Sequence, residues 1–303
     1  MTDIVYVNGD SFAAGADLGD YLLPDYPEQW TLDDLINKYD PDIGSRYVSW
    51  RSKFYDPRSE LYNQNAINAQ FKLRWSNVLS TIVNKNVINN SYAGADNYSI
   101  IVRSCNDIQQ LLEEGHTVTH IIIQFTGFNR YSYVRNSNSS HDDRFYYDIK
   151  NLFKSSMRDG FYFRHIKSSE LGTGQLTDKE SKFLEKEVLE ELVYDDQESS
   201  SRLLSHLLTL KLYKDAIKGC AGVEPIFVDS LFMKSYFRYT DTERYLISGS
   251  YINDIFNYIF PGSMLSMYDI PDFYNEKSIT GGRHFVSSVH ERFAKLLAER
   301  YFK

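Results

Sequence analysis

The sequence predicts an α/β fold, a doubly wound, flavodoxin-like and mostly parallel sheet with helices on both faces. Three observations predict it. Short apolar runs alternate with segments of helical spacing in βαβαβ order, the pattern that builds parallel sheets covered by helices. The run from Thr117 to Phe125 is rich in β-branched residues, as suits a strand buried on both sides. Short polar and Gly-containing segments follow the predicted strands at their carboxyl ends, where this architecture binds ligands.

The elements follow in order. Residues 3 to 8 read as a short buried strand. A helix is expected from about Asn65 to Lys85, with Ile67, Phe71, Trp75, Val78, Leu79 and Ile82 at helical spacing. Residues 86 to 90 give the second strand. Asp96-Asn97 is suited to cap a helix carrying Ile100, Ile101, Cys105, Ile108, Leu111 and Leu112 and ending near Gly115. After the Thr117–Phe125 strand the pattern resumes beyond position 200. A helix there carries Leu203, Leu204, Leu207, Leu208, Leu212 and Ile217 and stops near Gly219 or Gly222. Pro225 to Asp229 forms the next strand, and Val286 to Tyr301 a final helix with Val289, Phe293, Leu296 and Leu297 on one face.

The 303 residues are read as one α/β domain, enlarged by insertions at about 16–63 and 132–198. The first holds Tyr and Trp among turn residues and charges; the second holds a polar loop, a Phe/Tyr-rich segment and a charged helix expected from Asp178 to Val193. Either is suited to cover the site and select substrate, or to serve as an oligomer contact. A net charge of −8 argues against nucleic acid and anionic membrane surfaces as partners. Cys105 and Cys220, the two cysteines, are too few for a disulfide framework and at no metal-ligand spacing. A soluble, reducing, cytoplasmic setting is expected, since no signal peptide or membrane span is legible. Asn-x-Ser tripeptides at Asn89, Asn97 and Asn138 are expected to be chance matches.

The chemistry rests on four segments in order: Gly9-Asp10-Ser11, Gly94 after Asn86 to Ala93, Gly127-Phe128-Asn129, and His284. Cleavage of an ester by a serine enzyme needs a nucleophilic hydroxyl, a base within reach of it, and fixed donors for the developing oxyanion. Ser11, His284, and the trio of Ser11 N–H, Gly94 N–H and Asn129 side-chain amide would fill those roles. Each residue also has a plainer reading: turn glycines, a Ser or Asn cap, a loop histidine. His290 is expected to be structural. The ordered set gives the segments their weight.

With these segments the chain resembles the SGNH, or GDSL-type, hydrolases. Ile4 to Asn8 leading into Gly9-Asp10-Ser11 matches the family's first block, and Gly94 after a strand ending in Asn matches the second. Trp75 and Leu79 stand where the family has a Trp-x-x-x-Leu. The third block keeps Gly127 and Asn129 but has Arg130 in place of Asp. The last block keeps the His284 to His290 spacing, while Gly281 stands for the acid and Phe285 for the Pro. Asp269, Asp272 and Glu276 are candidate replacements for that acid, as is a backbone carbonyl.

The resemblance implies a serine esterase acting through a Ser11 acyl-enzyme, with no metal or organic cofactor. The expected substrate is a small-molecule or glycan ester, such as an O-acyl group on a carbohydrate, because the aromatic insertions suit sugar stacking. Two alternatives stand beside it: an acyltransferase using the same acyl-enzyme, and a non-catalytic binding or structural protein, suggested by Gly281. Oligomeric state is not legible.

Overall fold

Alternation along the first strand decides where the core lies. In β1 (Asp3–Asn8), Ile4 and Tyr6 join one apolar cluster and Val5 and Val7 another on the opposite face, the period-2 geometry of extended chain. The computed structural model describes residues 3–24, 47, 50–93, 95–126, 130–136, 161–167, 199–229, 250–261, 265–267, 270 and 284–303. The charged segment expected to be helical from Asp178 to Val193 lies outside them.

The sheet has five parallel strands. β1 lies between β2 (Asn86–Asn89) and β3 (Thr117–Phe125), with Val7 opposite Asn89 on one side and Ile122 on the other. β3 pairs in turn with β6 (Ile226–Asp229), which pairs with the short β7 (Leu265–Ser266). The order β2-β1-β3-β6-β7 is the 2-1-3-4-5 winding of a doubly wound sheet, whose switch point lies between β1 and β3. β4 (Arg130–Asn136) and β5 (Phe161–Lys167) form a separate antiparallel pair.

Helices cover both faces. On one, α4 (Asn97–Glu113), α5 (Ser199–Ala221) and α6 (Ser250–Ile259) supply Ile100, Ile108, Leu207, Leu210 and Ile255 to the cluster around Ile4, Ile121 and Ile123. On the other, α1 (Ser11–Ala14), α3 (Trp75–Val83) and α7 (Ser287–Tyr301) supply Phe12, Trp75, Leu79, Val289 and Phe293 to the cluster around Val5, Val7 and Ile122. Lys214 ties α5 to α6. Although only 1% exposed, its ammonium donates to the Tyr258 and Ile259 carbonyls at the end of α6 and pairs with Glu224 at 2.9 Å. A cation at a helix carboxyl end meets both the orphan carbonyls and the dipole.

Where one helix is expected from Asn65 to Lys85, there are two. α2 (Gln64–Leu73) ends at Arg74, whose extended backbone (ψ 144°) separates it from α3. The new start is capped from far away in sequence: the Trp75 N–H donates to His290 Nδ1 on α7 at 3.2 Å. No breaker residue marks the joint, so periodicity alone runs through it. Ile82, near the end of α3, is 43% exposed; it lines a 550 Å³ cavity with Lys85, His120 and Phe302 at the amino edge of the sheet. Leu212 on α5 is likewise solvent-facing, at 67%.

His290 is structural, as its position beside Trp75 requires. Burial, with His284 adding to it, lowers its pKa to about 3, so it stays neutral and accepts through Nδ1. Among the described residues Nε2 has no hydrogen-bond partner. In the unfolded chain a histidine takes up its proton near pH 6.5. The stability contributed by neutral His290 is therefore complete above about pH 6.5 and falls as the pH drops toward 3. At pH 4.5 the loss is about 2.7 kcal/mol. Thermal melts at pH 7 and 4.5 should show a smaller acid shift for His290→Gln than for wild type; equal shifts would refute the assignment.

Asn89 and Asn97 are both 6% exposed with their amides engaged inside the protein, consistent with the expectation that those Asn-x-Ser tripeptides are chance matches. Among the described residues no helix is long and apolar enough to cross a membrane.

Candidate functional site

The carboxyl end of β1 turns abruptly into one turn of helix. Asp10 makes the turn: it is wholly buried and its carboxylate accepts from the Phe12 N–H at 3.0 Å, capping α1. Ser11 is the first helical residue and is 5% exposed. The capping bond falls on the Phe12 N–H, one residue beyond Ser11, and the helical turn closes at Gly15 in the left-handed conformation (φ 73°). Gly9 has no room for a side chain, because a Cβ would lie 2.7 Å from Ala13 Cβ and 2.9 Å from Gln124 Cβ. The glycine lets the turn close against β3.

Beneath this turn lies a buried polar floor. Asn8 accepts from the Gly9 N–H at 2.8 Å and donates to Ser104 Oγ at 2.9 Å and the Ile100 carbonyl at 3.1 Å. Tyr6 donates to Asp107 at 2.6 Å, and burial, then the Asp107 charge, raises its hydroxyl pKa. Asn90 also donates to Asp107, while Arg103 donates to the Asn90 carbonyl at 2.7 Å. Polar groups satisfied in this way fix one geometry for the loops they hold.

The second segment is stitched to the first. Asn90 N–H donates to the Val7 carbonyl at 2.9 Å and Tyr92 N–H to the Gly9 carbonyl at 3.0 Å. Asn89 donates to the Ala13 carbonyl at 2.8 Å. The exit of β3 is held by α4: Asn97 donates to the Thr126 carbonyl and accepts from the Thr126 N–H, both at 2.9 Å. Residues 89–92 are thus bonded to the Ser11 turn, and β3, paired with β1, ends on the other side of the switch point. Gly94, Gly127 and Asn129 themselves lie outside the described residues, as do Asp269, Asp272, Glu276 and Gly281.

His284 comes to this point from the other end of the chain. Phe12 meets the imidazole edge-on at 5.0 Å, and Phe285 packs on Phe12 at 5.2 Å. Phe285 is wholly buried, which accounts for a bulky apolar residue at the place of the Pro. His284 Nδ1 lies 2.7 Å from Asp17 Oδ2. A carboxylate accepts only, so Nδ1 carries the proton and Nε2 is left as the basic nitrogen.

Asp17 is the residue that sequence reasoning missed. It is 4% exposed, lies six positions after Ser11, and adopts φ 67°, a conformation that Asp tolerates better than most residues. Its other oxygen, Oδ1, lies 3.1 Å from Arg51 Nε. The same Nε reaches Asp20 Oδ2 at 2.9 Å, and Asp20 also accepts from Tyr47 and Tyr55, each at 2.6 Å. Arg51 further donates to Gln70 on α2 at 2.9 Å and lies over the Tyr55 ring.

This cluster is electrostatically tense. Burial pushes the Asp20 carboxyl above its ordinary range, against the pull of Arg51, and Asp17 adds to the rise. Burial likewise raises the Tyr55 hydroxyl. Burial works against the Arg51 charge, yet Asp17 and Asp20 together hold its pKa above the usual guanidinium value. The sequence signal was two aspartates three apart, Asp17 and Asp20, in a Gly/Ala/Leu stretch directly after the serine. Among the described residues, no three His, Cys, Asp or Glu side chains are grouped to hold a metal ion. No family model, no curated protein and no solved structure matches this chain.

Proposed function

We propose that this chain is a serine hydrolase of the SGNH kind, acting on an ester through a Ser11 acyl-enzyme. The observation that carries the reading is the 2.7 Å contact of His284 Nδ1 with Asp17, beside the Ser11 turn at the switch point of the sheet. Phe12, next to Ser11 in the chain, meets the same imidazole edge-on at 5.0 Å, which supports a site drawn from residues 11, 17 and 284. Asp17 also answers the main reason for a non-catalytic reading, since a carboxylate reaches the histidine although Gly281 replaces the usual acid.

In this mechanism Nε2 of His284 takes the Ser11 proton as Oγ attacks the substrate carbonyl. Asp17 holds the imidazole in the right tautomer and stabilises the imidazolium. Ser11 N–H, Gly94 N–H and the Asn129 amide receive the oxyanion, the collapsing intermediate takes the proton as the alcohol leaves, and water attacks the acyl-enzyme with His284 again as base. An O-acyl carbohydrate or similar polar ester is the proposed substrate class. Tyr98, 50% exposed at the start of α4 just beyond the carboxyl end of β2, supports it as a surface for a sugar ring.

The test is covalent labelling with a fluorophosphonate probe and peptide mapping. Wild type should label at Ser11, Ser11→Ala should not label, and His284→Ala should label at least about a hundredfold more slowly, the usual scale of lost general-base catalysis. Absence of labelling in folded wild type would sink the hydrolase reading.

A further inference from the structure

Arg51 lies between two buried carboxylates that do different work. Its Nε is 3.1 Å from Asp17 Oδ1 and 2.9 Å from Asp20 Oδ2, while Asp17 Oδ2 faces His284. Asp17 and Asp20 are 4% and 0% exposed. Two carboxylates this close in a dry site cannot both stay ionised without a cation, because like charges drive one of them to bind a proton. A protonated Asp17 would no longer favour the imidazolium of His284.

We propose that Arg51 is a positioning residue that keeps Asp17 and Asp20 ionised together, so that His284 always faces an anionic Asp17. The inference rests on the hydrolase reading for its kinetic consequence, though not for its electrostatics. It gives the first insertion a role apart from covering the site: Arg51 supplies the counter-charge for the catalytic acid.

The groups around the cluster fit this role. Tyr47 and Tyr55 donate to one oxygen each of Asp20, so both its oxygens are held by neutral donors as well as by Arg51. Gln70 on α2 accepts from the Arg51 fork and fixes its orientation without adding charge. Asp20 is already drawn toward its neutral form by burial and by Asp17. On the other side, His290 on α7 is held neutral by burial and by His284 and adds no charge to the site near neutral pH. Without Arg51, the balance among these groups shifts toward one shared proton on the two carboxylates. Removing Asp20 as well would abolish that competition, leaving Asp17 as the one carboxylate.

Two measurements test this on folded protein, checked by thermal melting: the pH dependence of fluorophosphonate labelling at Ser11, and NMR titration of the His284 imidazole. Arg51→Gln should move the acid limb of the labelling profile up by at least about one pH unit, with a matching loss of the Asp17-bound Nδ1 proton signal. Arg51→Lys should fall between the variant and wild type. Arg51→Gln combined with Asp20→Asn should bring the limb back to within about half a unit of wild type. An unmoved limb and signal in folded Arg51→Gln, or no recovery in the double variant, would overturn the role of Arg51. If wild type does not label but the imidazole signals respond as described, the charge cluster stands and the hydrolase reading fails.

Discussion

Asp17→Asn is expected to slow acylation of Ser11 by about 10³- to 10⁴-fold while leaving the protein folded, the scale seen when the acid of a serine triad becomes an amide. Asn has nearly the shape of Asp, so the left-handed backbone at residue 17 is retained. The chemistry is what changes. An amide facing Nδ1 can present its NH₂ and select the tautomer with the proton on Nε2, which cannot take a proton from Ser11. It also offers no charge to the imidazolium. Arg51 remains paired with Asp20 at 2.9 Å, so the surrounding cluster keeps one complete ion pair. The measurement is the second-order rate of probe labelling at pH 8 for wild type, Asp17→Asn, and Asp269→Asn, Asp272→Asn and Glu276→Gln. A loss of less than tenfold in Asp17→Asn, with a large loss in one of the other three, would move the acid to that residue.

How legible was this in the sequence? The strands were clear because burial on both faces leaves a continuous apolar run, as in Ile121-Ile122-Ile123, whose members are all wholly buried. The caps were clear where the chemistry is local: Asp96 accepts from the Ser99 N–H at 2.6 Å, at the predicted start of α4. The break at Arg74 was not, because it is fixed by the bond from Trp75 to His290 on α7, 215 residues further along the chain from Trp75. The β4–β5 pair, α6 and β7 carry patterns too short or too aromatic to separate from loop.

The proposed acid shows the same limit more sharply. A family pattern assigns residues by position, so Gly281 read as a gap. The fold assigns them by space, and it brings Asp17 to His284 across 267 positions. Nothing in a linear pattern marks that pair, although the burial of Asp17 and Asp20 beside a large basic partner is the kind of charge placement that needs a reason.

If the first insertion holds the acid, then its packing should matter as much as its charges, and Gly19 is where that packing is tightest. A Cβ at residue 19 would lie 1.8 Å from the Ala66 carbonyl oxygen and 2.6 Å from its carbon. Ala66 is a wholly buried residue of α2, its N–H held by Asn63 at 3.1 Å, and it packs with Leu23 and Phe54. No rotamer change relieves a clash with helix backbone. The loop carrying Asp17 and Asp20 must therefore move instead. Gly19→Ala should cost about 3 kcal/mol, the upper end for overpacking, or roughly 6–12 °C in melting temperature. It should also slow Ser11 labelling, because Asp17 lies two residues away. Gly219→Ala is the control. It adds the same methyl to an exposed position in α5 with no atom within 4 Å, where Ala is favoured over Gly by up to about 1 kcal/mol. The same substitution should thus have opposite signs at the two positions. A Gly19→Ala variant that melts and labels like wild type would show that the first insertion can shift without disturbing His284, and Asp17 would then lose its place in the mechanism.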